Sequence, residues 1–324
     1  MKKLKNSLNN ILILGGAGFI GSNLAIKYFN LGYHVTVIDG LLRQTGGSRE
    51  NLKQLDNKAT IIFDDIQNVT NLNQIIDDHE IIIDCMGWTS HNLAHNNPLF
   101  DVELNIKSHL YLISALKNYK DKKLIFLGSK SQYGNSNSEL ITEDDFLSPN
   151  DVHGINKLCA ENYFKYYSTK YDFKIISLRI PNTFGANQKK SGDDIGLIGT
   201  FIKSSINNQE TVVYGSHRLR SVLYVEDLVE VIFKLDFDKI NNFKAINVNG
   251  KSILISELAE KIIFISGKGN LKVLPVPEKI KQNDMSNSTL DESELYKNIK
   301  EFNYTDLNIS LAKTINYFSH DLET

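Results

Sequence analysis

The most constraining stretch of the chain is residues 11–24, ILILGGAGFIGSNL. An apolar run at 11–14 predicts a buried strand. Gly15, Gly16, Gly18 and Gly21 follow, and then a segment with helical periodicity (Leu24, Ile26, Tyr28, Phe29). Strand, glycine turn and helix in that order turn a bare G-x-G-x-x-G match into a dinucleotide site. The glycines let the backbone turn tightly and approach a pyrophosphate. Its charge then meets the free N–H groups and positive end of the helix opening at Phe19 and Ile20. A second strand, HVTVI at 34–38, runs into Asp39, eighteen residues after Gly21. A carboxylate there accepts hydrogen bonds from the adenosine ribose and repels a 2′-phosphate, which favours NAD over NADP. Arg43, close behind, would soften that preference.

At 324 residues and 41% apolar content, the chain is long enough to bury a full core and divides into two packed regions. Strand-like segments at 11–14, 34–38, 60–63, 80–84, 123–127 and 174–179 alternate with helical patterns near 19–31, 68–78, 98–119 and 153–171. Such alternation predicts an α/β fold, a doubly wound parallel sheet of the Rossmann type. We expect a nucleotide-binding domain over 8–180 and a smaller substrate-binding region over 181–324, with a segment near 222–234 returning to the first. Ligands of such sheets sit beyond the carboxyl ends of the strands, where the strand order reverses.

Composition excludes other classes. A net charge of −2 gives no basic footprint for nucleic acid. Cys85 and Cys159, two cysteines in apolar segments, cannot make a zinc site by themselves and fit a reducing cytoplasm. The opening MKKLKNSLNN is charged like a leader, but the short apolar run behind it belongs to the glycine-turn strand. No stretch approaches the length of a membrane span.

Further motifs lie in order along the chain: Asp65-Ile66 after the third strand, Gly87 after the fourth, and Asn105 in the next helix. GSKSQYG at 128–134, RIPNTFG at 179–185 and RSVLYVEDL at 220–228 follow. Together with GGAGFIG at 15–21 and Asp39, this order resembles the extended short-chain dehydrogenase/reductases of the NAD-dependent epimerase/dehydratase group, which act on nucleotide sugars. The resemblance covers nearly the whole chain. It implies that Asp65 and Ile66 flank the adenine, and that Cys85, Met86 and Gly87 pass beneath the ribose and pyrophosphate. Asn105 joins the cofactor side, Lys157 holds the nicotinamide ribose, and Pro181 sits by the carboxamide. On the substrate side it implies Ser129 at the hydroxyl to be oxidised, and Asn182 and Arg220 at the phosphates. Trp88, Thr89 and His91 would line the sugar pocket, with Lys281 and Asp284 near the nucleoside.

One departure stands out. The family pairs Tyr-x-x-x-Lys, whereas this chain reads His153-Gly-Ile-Asn-Lys157. The two side chains lie one helical turn apart on one face. A neutral imidazole is a competent base, and a neighbouring ammonium keeps it neutral. Its nitrogen reaches roughly 2 Å less far than a phenol oxygen, so a water or a shifted sugar must close the gap. His91, His95 and Tyr133 are alternative bases; a surface role suits His95, and packing suits Tyr133. The catalytic set expected is Ser129, His153 and Lys157. The dehydratases carry Asp-Glu beside the catalytic Ser/Thr; Ser129-Lys130-Ser131 here argues against dehydration. The reaction expected is NAD-dependent oxidation at C4 of a nucleotide-linked hexose or heptose, as an epimerase or a dehydrogenase, for surface polysaccharide synthesis. The contrasting reading is an NAD-binding sensor or scaffold. Leu104, Leu110, Leu112, Leu158, Tyr163 and Tyr166 point to a homo-oligomer or, equally, to the sheet.

Overall fold

The computed structural model describes residues 10–136, 138–192, 195–278 and 287–320. Strand β1 (Asn10–Leu14) is buried on both faces from Ile11 to Leu14, as a central parallel strand must be. After it come α1 (Phe19–Asn30), β2 (His34–Ile38), β3 (Thr60–Ile62), α2 (Leu72–Asp78), β4 (Ile81–Asp84), α3 (His91–Asn96) and α4 (Pro98–Val102). A π-helical turn (Glu103–Lys107) joins α4 to α5 (Ser108–Leu116). Next are β5 (Lys123–Ser129), β6 (Leu140–Ile141), α6 (Val152–Tyr171), β7 (Lys174–Ile180) and β8 (Asn182–Phe184). The remainder holds α7 (Gly196–Ile206), β9 (Glu210–Tyr214), β10 (Leu219–Tyr224), α8 (Val225–Lys234), β11 (Phe243–Asn247), β12 (Lys251–Leu254), α9 (Ile255–Ser266), β13 (Asn270–Leu274) and β14 (Thr289–Leu290). Helical segments at Ser293–Asn298 and Leu307–Ser319 end the described chain.

Seven parallel strands are hydrogen-bonded in the order β11-β7-β5-β4-β1-β2-β3. Ile13 pairs with Val37 of β2 on one side and with Ile83 of β4 on the other, so the order reverses at β1. That reversal opens the crevice expected of a doubly wound sheet. Alternating residues fill two layers. Ile11, Ile13, Val35 and Val37 face one way, under Leu24 of α1 and Leu228 of α8. Leu12, Leu14, Ile82 and Phe126 face the other, under Leu112 of α5 and Phe164 of α6.

The later chain contributes to this body more than periodicity suggests. β10 stays in a small sheet ordered β12-β10-β8, but α8 packs on α1 through the Lys27–Glu230 ion pair (2.9 Å) and the Tyr28–Phe233 ring contact. β11, which carries no strong strand signal, adds the seventh strand beside β7. The rest gathers around Phe184, Ile202, Val222, Leu258 and Phe318.

Candidate active site

Gly15 turns the chain at φ +68°, and a Cβ on it would lie 2.8 Å from the Cys85 carbonyl oxygen. A Cβ on Gly21 would come within 2.3 Å of the Gly15 carbonyl oxygen, so only glycine allows α1 to start this close to β1. The first turn of α1 has no side-chain cap and no acidic residue. Its open N–H groups at Phe19, Ile20 and Gly21 are therefore left to an external anion. The side chains of Phe19 and Ile20 pack into the core and contribute backbone only.

Beyond this turn lies a cavity of about 310 Å³. Of the residues the sequence singles out, Gly15, Gly18, Asp39, Asp65 and Ile66 line one part of it, and Cys85, Met86 and Gly87 its floor. The Asp39 carboxylate accepts the N–H of Ala17 at 2.9 Å and that of Leu41 at 2.8 Å. Burial raises its pKa, and these backbone bonds oppose the rise. Arg43 is exposed and does not line the cavity.

The sequence reading missed two walls. One is the loop after β2, through Gly40, Leu42, Thr45, Gly46 and Gly47. The other is the face of α4 to α5 carrying Phe100, Leu104, Lys107 and Tyr111. The spacing of that second set, three to four residues, marks one helical face and is the signal that could have found it. Leu104 therefore belongs to the cavity, and Leu112 faces the sheet.

Asn105 does not line the cavity. Fully buried on the π-helical turn, it accepts the Trp88 N–H at 3.0 Å and donates to the Trp88 carbonyl at 2.9 Å, fixing the chain after β4. Trp88 is also buried; its indole N–H donates to the Gln44 carbonyl at 3.1 Å and its ring meets Phe100 edge-on. It pins the loop after β2 over the cavity. Thr89 is exposed, and Ser90 caps α3.

Helix α6 presents His153 and Lys157 together, both buried. The Lys157 ammonium donates to the Leu127 carbonyl at 3.0 Å and the Met86 carbonyl at 3.4 Å, and lies over the Phe126 ring. Burial lowers its pKa, against the attraction of Asp84, Cys85 and Asp101. His153 Nδ1 lies 2.9 Å from the Trp88 carbonyl. A carbonyl only accepts, so Nδ1 carries the proton and Nε2 keeps its lone pair. Burial, then His91 and Lys157, push the His153 pKa down to about 3. The His91 ring stands edge-on to His153 at 4.8 Å, and its Nδ1 is 2.8 Å from the Asp151 carboxylate, which also caps α6.

This arrangement has a measurable consequence for stability. The folded pKa lies below that of a free histidine, about 6.5, so between the two the unfolded chain binds a proton that the folded chain refuses. Stability falls as the pH drops through that window, by up to about 1.4 kcal/mol per pH unit. Thermal melts of wild type and His153→Gln at descending pH should diverge, the variant losing less. Parallel curves would remove His153 from this role.

Ser129 ends β5 and caps the turn behind it, its Oγ accepting from the N–H and the hydroxyl of Ser131 at 3.1 and 2.8 Å. Its own hydroxyl proton is left to donate. Pro181 follows β7, and Asn182 of β8 pairs with Val222, two residues beyond Arg220 on β10. Tyr133 is removed from proton chemistry: burial pushes its phenol up to about 12, and its hydroxyl is held between Arg179 and Asn247. His95 is exposed. Lys281 and Asp284 lie outside the described residues.

A glycine turn at the reversal of a parallel sheet, an acid at the end of β2 and a buried helical lysine define a dinucleotide-dependent α/β enzyme. Residues 11–248 match the model of the NAD dependent epimerase/dehydratase family, and the chain belongs to that family. A structure of UDP-N-acetylglucosamine 4-epimerase from Methanobrevibacter ruminantium, in complex with UDP-N-acetylmuramic acid, is 28% identical. It covers 97% of this chain and 99% of its own, with a TM-score of 0.87. UDP-glucose 4-epimerase of Thermotoga maritima with UDP-glucose is 26% identical, covering 97% and 99%, at a TM-score of 0.84. CDP-paratose 2-epimerase of Salmonella typhi is 26% identical over 304 residues, 83% of this chain and 88% of the relative. The cofactor is NAD, and the protein is an NAD-dependent enzyme of the nucleotide-sugar epimerases and dehydratases. The cradle that a Cβ would fill at Gly15 and Gly21, the uncapped α1 and Asp39 all fit that cofactor. Among the described residues, no helix is long and apolar enough to cross a membrane.

Proposed function

We propose that the enzyme oxidises the C4 hydroxyl of a nucleotide-linked hexose or heptose, acting as a 4-epimerase or 4-dehydrogenase. NAD, when bound, supplies the acceptor for the hydride that leaves C4. The observation that carries the reading is the His153–Trp88 hydrogen bond, which leaves Nε2 as a neutral base one turn from Lys157. His153 takes the hydroxyl proton, directly or through one water, as the C4–O bond becomes a carbonyl. Ser129 donates to the same oxygen, and Lys157 stabilises the negative charge that gathers on it. Asn182 and Arg220 hold the substrate's phosphates, the latter as a planar two-pronged donor. Trp88, Thr89 and His91 shape the sugar side, with Trp88 acting through the loop it pins.

We assign NAD rather than NADP on Asp39. Asp39→Ala is expected to weaken NAD at least about tenfold while NADP changes little, since charged hydrogen bonds contribute about 1.5–3 kcal/mol. Equal losses in fluorescence titrations would overturn the assignment. We assign the pathway to surface polysaccharide synthesis in the cytoplasm, a reading supported by the kinship with sugar-nucleotide enzymes and by two cysteines without disulfides. We also propose a homodimer through α6, where Ile155, Tyr163 and Tyr166 are exposed beside Leu158.

The deciding experiment follows the near-ultraviolet absorbance of reduced nicotinamide as nucleotide sugars are added to the purified protein. A band that appears with one sugar establishes the oxidation and names the substrate class. Bound NAD that no nucleotide sugar reduces, with no nucleotide sugar converted to its C4 epimer, would reject the reading in favour of an NAD-binding sensor or scaffold.

A further inference from the structure

Ser131 is buried on the single helical turn Lys130–Tyr133 that follows β5. It reaches the Ser129 Oγ twice: its backbone N–H donates at 3.1 Å and its hydroxyl donates at 2.8 Å. A serine hydroxyl has two lone pairs and one proton. Both lone pairs of Ser129 are therefore occupied from inside the protein, and only its proton remains to face a ligand.

Both ends of this contact are fixed. The Ser129 N–H donates to the Gln132 side chain at 2.7 Å, and Gln132 donates on to Glu161 at 2.9 Å. The Ser131 carbonyl accepts the Gly134 N–H at 3.1 Å. That carbonyl also lies against the first turn of α6, where a Cβ on Gly154 would come within 2.6 Å of its oxygen. Gly154 is the neighbour of His153, so the residue that fills the Ser129 lone pairs also abuts the turn that carries the base.

We propose that Ser131 is a positioning residue that makes Ser129 an obligate hydrogen-bond donor toward the C4 oxygen of the sugar. The inference rests on the C4-oxidation reading above and deepens it. A Ser129 hydroxyl with a lone pair to spare could accept the C4 hydroxyl proton, which would then point away from His153. With both lone pairs filled, Ser129 holds that oxygen as a donor in the alcohol and in the ketone alike. The C4 hydroxyl proton finds no acceptor on Ser129 and turns to Nε2 of His153. Ser129 itself carries no proton from one to the other.

A double-mutant cycle tests this with wild type, Ser131→Ala, Ser129→Ala and the double variant. Each protein is loaded with NAD and mixed with whichever UDP, dTDP, CDP or GDP sugar the wild type oxidises or epimerises, and the single-turnover rate is read. Ser131→Ala is expected to slow the step about tenfold, the loss of one hydrogen bond, while sugar and NAD affinities stay within about twofold. Ser129→Ala should slow it at least about a hundredfold. Because Ser131 acts through Ser129, adding Ser131→Ala to Ser129→Ala should change the rate by less than about twofold. The same tenfold loss in both backgrounds would assign Ser131 to the structure of the turn and overturn the proposal, as would a wild-type rate in either single variant. Ser131→Cys, whose thiol is a weak donor, reads the same cycle if the alanine variant does not fold. A wild type that converts no nucleotide sugar would overturn the C4-oxidation reading itself, a result distinct from an additive cycle.

Discussion

His153→Phe is expected to lower turnover by at least about a hundredfold while NAD affinity stays within about twofold, the range that separates loss of a general base from loss of binding. The phenyl ring keeps the bulk beside Trp88 but lacks Nε2. Lys157, which holds its place through the Leu127 and Met86 carbonyls, stays where it is. The removed Nδ1–H leaves the Trp88 carbonyl with Asn105 as its remaining donor, so the chain after β4 keeps its anchor. Single-turnover kinetics with the identified substrate, beside a cofactor titration, separate the two effects. Activity within about threefold of wild type would transfer the base role to another group, His91 with its Asp151 partner being next in place.

The second large effect concerns a residue with no contact to either ligand site. Glu161, on the inner face of α6, receives Arg179 at 2.6 Å and 3.2 Å, Gln132 at 2.9 Å and Ser177 at 2.6 Å, and all four side chains are buried. Gln132 in turn accepts the Ser129 N–H at 2.7 Å, and Arg179 also donates to Tyr133. One carboxylate thus joins α6, β7 and the turn that presents Ser129. Glu161→Ala strands the Arg179 charge inside the protein, which costs about 3–5 kcal/mol. Urea unfolding should show that loss, together with reduced activity through a misplaced Ser129. A change under about 1 kcal/mol would mean that water or rearranged neighbours compensate the arginine.

Much of the first domain is readable from the chain because its signals are local. Apolar runs such as ILIL and the III that opens β4 read as central strands, and the helical periods between them demand crossovers. The cavity lining at Asp65, Ile66, Cys85, Met86 and Gly87 sits at strand ends, where position along the sequence already dictates position in space. The later chain gave less. β11 has three half-buried residues out of five and no clean alternation, and it is a strand only because the edge of β7 is there to receive it.

Individual side chains show where local reading stops. The sequence places Trp88 by the sugar and Asn105 on the cofactor side, but the structure shows their partners to be Gln44 and the Trp88 backbone, brought near by the sheet and the π-helical turn. Phe100, Leu104 and Tyr111 share one helical face, but nothing local to them says that this face meets the cavity. Lys130, which the sequence marks only as a departure from the dehydratase Asp-Glu, finds its partner in Ser288 from the far end of the chain.

The sequence by itself determined the glycine turn, the acid that follows β2 and the parallel sheet, because each follows from the steric and hydrogen-bonding limits of neighbouring residues. Only the tertiary structure decided which imidazole nitrogen is free and how far burial weakens its hold on a proton. Protonation and charge depend on everything within a few ångströms, and two of the groups that set His153, Trp88 and His91, come from more than sixty residues away.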